Sequence, residues 1–171
     1  DIQAGTGYAH MELPAFTTDG TLLVRAEAKA LNGDYAGAVS DLNLEVKAMS
    51  TGKKSVTLDA INTFYDGIDD YTPTAPTPKK ALHPVFTTIK DKTQQNVIDA
   101  ILQLRRILTL GEGERMQDVK RYGIVIYRRK LNRSSQVLQV TDTLTKDDPR
   151  RAIQIPQDVI TAGLQANPRN K

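Results

Sequence analysis

Two tyrosines and three aspartates lie close together in the middle of the chain and have side chains that can bind a small ligand. They are Tyr65, Asp66, Asp69, Asp70 and Tyr71. Tyrosine rings pack on the apolar faces of ligands, and carboxylates accept hydrogen bonds from hydroxyl groups or coordinate a cation. The order of the acids differs from that of an EF-hand calcium loop. We predict that these five residues belong to a ligand-binding loop, and a solvated loop without a binding role is the alternative.

Other candidate chemistries have weaker patterns. The potential metal ligands His10, Glu12 and His83 do not have the spacing of a standard metal site. Residues 111–114, Gly-Glu-Gly-Glu, resemble half of a phosphate-binding loop but lack the lysine and hydroxyl residue that must follow. Serine, histidine and aspartate form no recognisable group of nucleophile, base and acid. We therefore expect a binding protein without a cofactor, and not an enzyme.

A basic stretch with two interleaved tyrosines lies in the second half of the chain. Its members are Arg115, Lys120, Arg121, Tyr122, Tyr127, Arg128, Arg129, Lys130 and Arg133. Such a pattern can bind a nucleic-acid backbone. However, the net charge of the whole chain is only +3, and nearby acids such as Asp118 can neutralise several cations. We expect solvated basic side chains on a turn and a hairpin, and no nucleic-acid partner.

The composition fits a folded domain and excludes some functions. The 171 residues are 39% hydrophobic and 25% charged, but only 5% aromatic, which leaves few rings for a complete sugar site. Because the chain has no cysteine, disulfides and thiolate chemistry are excluded. No apolar run approaches the roughly 20 residues that span a bilayer. The chain begins at Asp1 without a methionine or a leader, so we expect it to be a piece of a longer protein.

The spacing of apolar and small residues predicts a pair of helices near the start. A helix is expected from Thr18 to Leu31, where Ala26 and Ala30 belong to an apolar stripe that repeats every four residues. Gly33 makes the corner, and a second helix is expected from Asp34 to Met49. Alanines in the stripe would let the two helices approach closely.

The remaining elements are expected in the following order. Residues 50–92 contain three closely spaced prolines, which predict an irregular, Pro-rich insertion. Thr93 to Leu110 has the strongest helical periodicity of the chain, and a short helical turn is expected from Glu114 to Arg121. Segments rich in valine, isoleucine and threonine, Tyr122 to Leu131 and Gln136 to Leu144, predict a β-hairpin.

Three separated stretches of the chain resemble one protein family. Residues 23–30, LVRAEAKA, followed by residues 33–38, GDYAGA, and 41–43, DLN, resemble the tetratricopeptide-like helix pair of SusD/RagB outer-membrane nutrient-binding lipoproteins. Residues 153–160, IQIPQDVI, and the later Asn167-Pro168 resemble the C-terminal "P-I-P-Q-x-E-I" and "N-P" of that family.

The third stretch, residues 112–123, EGERMQDVKRYG, resembles the family's "E-G-H-R-W-F-D-L-K-R-W-G" box. Seven positions match: Glu112, Gly113, Arg115, Asp118, Lys120, Arg121 and Gly123. Charged residues at fixed places in a short turn between apolar elements suggest a structural role. We expect Asp118 and Arg115 to pair within the box and hold the turn against the long helix.

The resemblance implies a mainly α fold with a tetratricopeptide-like helix pair plus a long helix, a small β-hairpin and long irregular loops. Residues 1–171 would be the C-terminal portion of such a protein. It would bind a glycan or a peptide and deliver it to a SusC-like TonB-dependent transporter. A lipid anchor in the N-terminal part would hold it at the outer surface of the outer membrane. A tetratricopeptide-like scaffold for protein–protein interaction is the alternative function.

Overall fold

A computed structural model of the chain describes residues 16–52 and 54–169. Six helices and one two-stranded antiparallel sheet are present in these two ranges. They are α1 (Thr18–Asn32), α2 (Tyr35–Met49), α3 (Leu58–Gly67), α4 (Lys92–Leu108), α5 (Arg115–Arg121), β1 (Ile126–Leu131), β2 (Val137–Leu144) and α6 (Gln157–Thr161). A mainly α fold with a small hairpin is thereby confirmed. None of these helices is long and apolar enough to cross a bilayer within the described ranges.

Helices α1 and α2 form the predicted pair. Gly33 ends α1 with a φ of 90°, a backbone conformation that glycine adopts without strain. Arg25 contacts Asp41, and Lys29 contacts Gly37 further back along α2. A later residue of α1 thus contacts an earlier residue of α2, so the two helices run antiparallel.

Small side chains allow the close contact between these two helices. Ala26, Ala30 and Ala38 have no exposed surface, and Leu42 is only 3% exposed. The amide of Gln94, a buried residue of α4, donates hydrogen bonds to the carbonyl oxygen of Ala30 at 3.0 Å. The end of α1 is therefore fixed both by packing and by a buried polar contact.

Helix α4 lies at the centre of the core and contacts α1, α2, α3 and α5. Val97, Ile98 and Ile101 are completely buried, and burial of each such side chain contributes about 1.5–3 kcal/mol. The carboxylate of Asp91 caps the helix by accepting from the backbone N–H of Gln94 at 2.7 Å. Because this cap precedes Lys92, the helix starts one residue before the predicted boundary.

Helix α3 contradicts the prediction that residues 50–92 are irregular throughout. The hydroxyl of Thr57 caps it by accepting from the backbone N–H of Ala60 at 3.1 Å. Ile61 and Tyr65, which are one helical turn apart, are buried. The prolines used to exclude a helix all follow α3, so they do not interrupt it. No helix or strand occurs in the described residues 68–91.

The β-hairpin pairs β1 with β2 in antiparallel register, with Tyr127 opposite Thr143 and two register shifts at which β2 has one extra residue each. Its first strand begins at Ile126, four residues after the predicted start. Tyr122 and Gly123 instead end α5, because the N–H of Tyr122 donates to the carbonyl of Asp118 at 3.0 Å and Gly123 has a φ of 60°. The hairpin therefore follows closely after residues 112–123, which we call the charged box.

Candidate functional site

The five residues that we predicted to form a binding loop are divided between a helix and a loop. Tyr65 and Asp66 belong to α3, so their assignment to a loop is wrong. Tyr65 is only 4% exposed and lies in the core, where burial raises the pKa of its hydroxyl. Asp66 accepts a hydrogen bond from Asn96 at 3.0 Å and pairs with Lys92 at 3.0 Å. Both side chains therefore contact other parts of the protein.

The other three candidates lie in the loop that follows α3. Asp69 and Asp70 are exposed, and an oxygen of Asp70 lies 3.2 Å from Nζ of Lys79. Tyr71 is half-buried and lines a cavity of about 240 Å³, which we call the basic pocket. The polar and charged side chains around it are Tyr71, Lys80, Arg106, Arg115 and Arg129. Val119, Ile124, Val125 and Ile126 contribute to its apolar wall.

Two cations of the pocket lie close to the ring of Tyr71. Nζ of Lys80 is 3.5 Å from the ring centroid, and the guanidinium carbon of Arg129 is 4.8 Å from it. Both distances are within the range of cation–π contacts. The ring of Tyr127 lies against the same tyrosine, with 5.4 Å between the centroids.

Arg129 also holds the proline-rich segment against the hairpin. Its Nε donates to the carbonyl of Pro73 at 2.7 Å, and its Nη2 donates to the carbonyl of Thr72 at 2.6 Å. Its Nη1 donates to the hydroxyl of Tyr71 at 3.2 Å. One side chain of β1 therefore fixes the loop that carries Tyr71, although Arg129 and Tyr71 are 58 positions apart in the sequence.

Lys80 is an unusually buried cation. It is only 7% exposed, and in the described part of the chain its ammonium donates to the carbonyl of Thr77 and contacts no carboxylate. Burial first, and then the positive charges of Arg106 and Arg115, lower its pKa to about 8. The pocket is thus an unfavourable environment for a positive charge.

Asp99 lies beside this lysine and is buried as well. Its Oδ1 accepts from the backbone N–H of Lys80 at 3.3 Å, while its Oδ2 has no hydrogen-bond partner among the described residues. Burial raises its pKa to about 7, although Lys80 and Arg115 act in the opposite direction. At neutral pH, the carboxyl therefore compensates only part of the positive charge nearby.

Arg115 forms the expected ion pair with Asp118, at 3.7 Å. That distance exceeds a hydrogen bond, and Nη1 of Arg115 is buried without a hydrogen-bond partner in the two described ranges. The closer partner of Asp118 is Arg105 on α4, at 2.6 Å. Nη1 of Arg115 is therefore buried beside Asp118 without forming a hydrogen bond.

The box itself is built around a buried group of charges. The guanidinium of Arg105 lies 2.6 Å from both Asp118 and Glu27, and Glu27 also accepts from Tyr122 at 2.6 Å. Burial would raise the pKa of Glu27, but hydrogen bonds from Tyr122, Arg105 and Arg121 lower it. Asp118 has fewer donors, so burial raises its pKa. The contacts support the structural role that we predicted for the box.

The basic stretch therefore differs from the solvated surface that we expected. Arg115 and Arg129 are half-buried at the pocket, and Arg121 pairs with Glu27 at 2.8 Å. Lys80 and Arg106 were absent from the predicted site. Their positions give no local signal in the sequence, because a long loop and two helices bring them together.

The part of the chain that the structure describes does not bring the potential metal ligands together. His83 is exposed, and its backbone N–H donates to the carbonyl of Tyr122 at 2.8 Å. His10 and Glu12 lie outside the described residues. Residues 16–52 and 54–169 contain no group of three or more potential metal-binding side chains.

A second concavity, of about 390 Å³, lies between α2, α3 and α4 and is almost entirely apolar. Phe64 and Ile107 at its edge are 53% and 60% exposed. Its wall carries no charged side chain, so it lacks the charged hydrogen-bond donors of the basic pocket.

Comparison with known proteins identifies one family. The family model described as the SusD family matches residues 1–162 of the chain. No curated protein sequence and no solved structure gives a significant match. The matched range includes the helix pair, the basic pocket and the charged box.

Proposed function

The chain belongs to the SusD family, whose members bind nutrients at the outer membrane, and we propose that it binds an oligosaccharide for a SusC-like TonB-dependent transporter. The observation that carries this proposal is the family match over residues 1–162. Residues 1–171 would form the C-terminal portion of the whole protein. The anchoring cysteine would lie outside these residues, which contain none.

Within the described residues, we place the ligand contact at Tyr71. Its ring lines a cavity, and the cavity also offers charged hydrogen-bond donors. An aromatic face beside such donors is a common arrangement in sites that bind sugars or peptides. Asp69 and Asp70 are exposed in the same loop and can add hydrogen-bond acceptors. Tyr65 and Asp66 would support this loop from α3 without contacting the ligand.

The proposal is tested with the full-length protein and a panel of oligosaccharides and peptides. Calorimetry should detect binding of an oligosaccharide. The Tyr71→Ala variant should bind it at least about tenfold more weakly, because packing of a sugar on an aromatic ring contributes on the order of 1–2 kcal/mol. Phe64→Ala is the matched control, because Phe64 is an exposed ring outside the basic pocket. Its affinity should equal that of the wild type.

Each alternative has its own outcome in this experiment. Equal affinity of Tyr71→Ala and wild type would place the sugar site outside the basic pocket. Binding of peptides alone would replace the proposed ligand class. The full-length protein can also be purified from membranes to identify what is bound to it. Absence of a TonB-dependent transporter together with soluble protein partners bound to the α1–α2 pair would favour an interaction scaffold.

A further inference from the structure

The charge of the basic pocket points to the chemical class of its ligand: we infer that the pocket binds an oxyanion, and specifically the carboxylate or sulfate of an acidic sugar. The sugar in this inference rests on the proposed function. The oxyanion site does not, because it follows from the side chains that line the cavity.

Four cations of four different elements converge on the pocket. Lys80 comes from the loop after Tyr71, Arg106 from α4, Arg115 from α5 and Arg129 from β1. The cavity among them measures only about 240 Å³. Like charges around so small a volume repel one another. A bound anion would be attracted to all four cations and would offset that repulsion.

The nearby acids neutralise these cations only in part. Asp118 lies 2.6 Å from Arg105 and 3.7 Å from Arg115, so it interacts more strongly with Arg105, which does not line the pocket, than with Arg115. The carboxyl of Asp99 has a pKa raised to about 7 by burial and is only partly ionised at neutral pH. Asp70 pairs with Lys79 in the exposed loop. The pocket therefore retains an excess of positive charge.

Two of the arginines are not fully engaged by carboxylates. Nη1 of Arg115 is buried and has no hydrogen-bond partner in the described ranges. Arg106 is exposed, and the described residues include no ion pair to it. Arginine presents parallel N–H groups that match the two oxygens of a carboxylate or a sulfate. Arg129 contributes charge mainly, since its nitrogens already hold the loop at 72–73.

The remaining wall suits the sugar ring to which the anion is attached. Tyr71 contributes an aromatic ring, and Ile124 and Ile126 add apolar surface, to which the apolar face of a sugar ring can pack. The volume lies below the roughly 300–1,000 Å³ of pockets that enclose whole small ligands. It therefore fits one charged group and part of one ring, with the rest of an oligosaccharide outside.

The test compares a charged sugar with its neutral twin. Full-length protein is titrated with trigalacturonate, with the methyl ester of the same trisaccharide, with a sulfated disaccharide, and with inorganic sulfate and phosphate. One acidic sugar should bind about tenfold or more tightly than the ester, and its affinity should fall as salt is added. Stronger binding of the uronate identifies a carboxylate ligand, and stronger binding of the sulfated sugar identifies a sulfate ester.

Arg106→Gln and Arg115→Gln should each weaken the acidic sugar about tenfold and leave the ester unaffected. Arg128→Gln is the matched control, because Arg128 is an exposed arginine of β1 that does not line the pocket. Arg106 is itself exposed, so its variant should fold, and equal melting temperatures would verify this.

The outcomes separate this inference from the proposed function. Equal affinity for acid and ester, or full affinity in both arginine variants, overturns the oxyanion site while sugar binding stands. Binding of inorganic phosphate or sulfate without any sugar supports the oxyanion site and counts against the proposed function. Absence of binding by every anion in the panel overturns the inference.

Discussion

The guanidinium of Arg105 on α4 lies 2.6 Å from a carboxylate oxygen of Glu27 on α1, and both side chains are buried. The same guanidinium reaches Asp118 on α5 at 2.6 Å. Tyr122 and Arg121, at the end of α5, also contact Glu27. Residues far apart in the sequence thereby fix the charged box to the helix pair, independently of the apolar core.

Replacement of Arg105 by methionine should lower the free energy of unfolding by about 3–5 kcal/mol, because it leaves Glu27 and Asp118 buried without their shared cation. Urea unfolding at neutral pH measures the change. Arg128→Met, at an exposed site, should change stability by less than about 0.5 kcal/mol. A loss below 1 kcal/mol for Arg105→Met would show that the network contributes little to stability.

The contact between α1 and α2 should be intolerant of a larger side chain. Ala30 has no exposed surface, so Ala30→Leu should destabilise the protein by about 1–3 kcal/mol through overpacking. Ala28→Leu is the matched control, because Ala28 is exposed on the same helix. Thermal unfolding should separate the two variants, and equal melting temperatures would mean that the helices can move apart without cost.

Much of the helical architecture could be predicted because it depends on local patterns. The apolar stripe and Gly33 specified α1 and α2, and the strong periodicity of α4 placed that helix within two residues of its boundaries. Helix α3 was missed, since its ten residues show only a short stripe and the prolines that follow it outweighed the cap at Thr57. Local patterns thus predict long helices better than short ones.

The candidate site could be predicted only in part. Tyr71 stood out in the sequence because it is an aromatic residue in an acidic loop. Lys80 and Arg106 gave no such signal, and Arg129 stood out only as part of a basic stretch, since their common position arises from the way in which a loop, α4 and the hairpin pack. Tyr65, by contrast, looked like a binding residue and is part of the core. A residue type alone does not distinguish packing from binding.

The two parts of the C-terminal pattern are joined by an amide clamp. Gln154 accepts from the backbone N–H of Asn167 at 2.9 Å and donates to its carbonyl at 3.2 Å, and Asn167 donates to the carbonyl of Ile153 at 2.8 Å. In Gln154→Ala, the backbone N–H of Asn167 loses its acceptor. Its hydrogen exchange should accelerate about five- to tenfold, since a hydrogen bond contributes about 1 kcal/mol.

A matched control for the clamp is Gln157→Ala, an exposed position at the start of α6. It should leave the exchange of Asn167 unchanged. Unchanged exchange in Gln154→Ala as well would mean that the terminal segment is held by other contacts, such as the hydrogen bond from Arg169 to the carbonyl of Ala152 at 3.1 Å.

Asp99 should make the stability of the protein depend on pH in the neutral range. Its pKa is about 7 in the folded protein, against an ordinary value of 3.8, because burial disfavours its charged form. Between these values the folded state binds more protons than the unfolded chain, so the free energy of unfolding falls as pH rises from about 4 to about 7. The stability associated with the protonated form is fully present below pH 3.8 and is lost as pH rises through 7.

Asp99→Asn removes this titration and keeps an acceptor for the backbone N–H of Lys80. In urea unfolding between pH 4 and pH 7.5, the free energy of unfolding of the variant should therefore rise relative to that of the wild type as pH rises, by up to roughly 4 kcal/mol. Lys80 has a pKa of about 8, to which the charge of Asp99 contributes, so it is mostly protonated up to pH 7 and begins to lose its proton only at the top of this window. Asp69→Asn, at an exposed carboxylate, should keep a constant difference from the wild type. The same constant difference for Asp99→Asn would show that Asp99 is ionised in the folded protein and that its charge is compensated by the cations of the basic pocket.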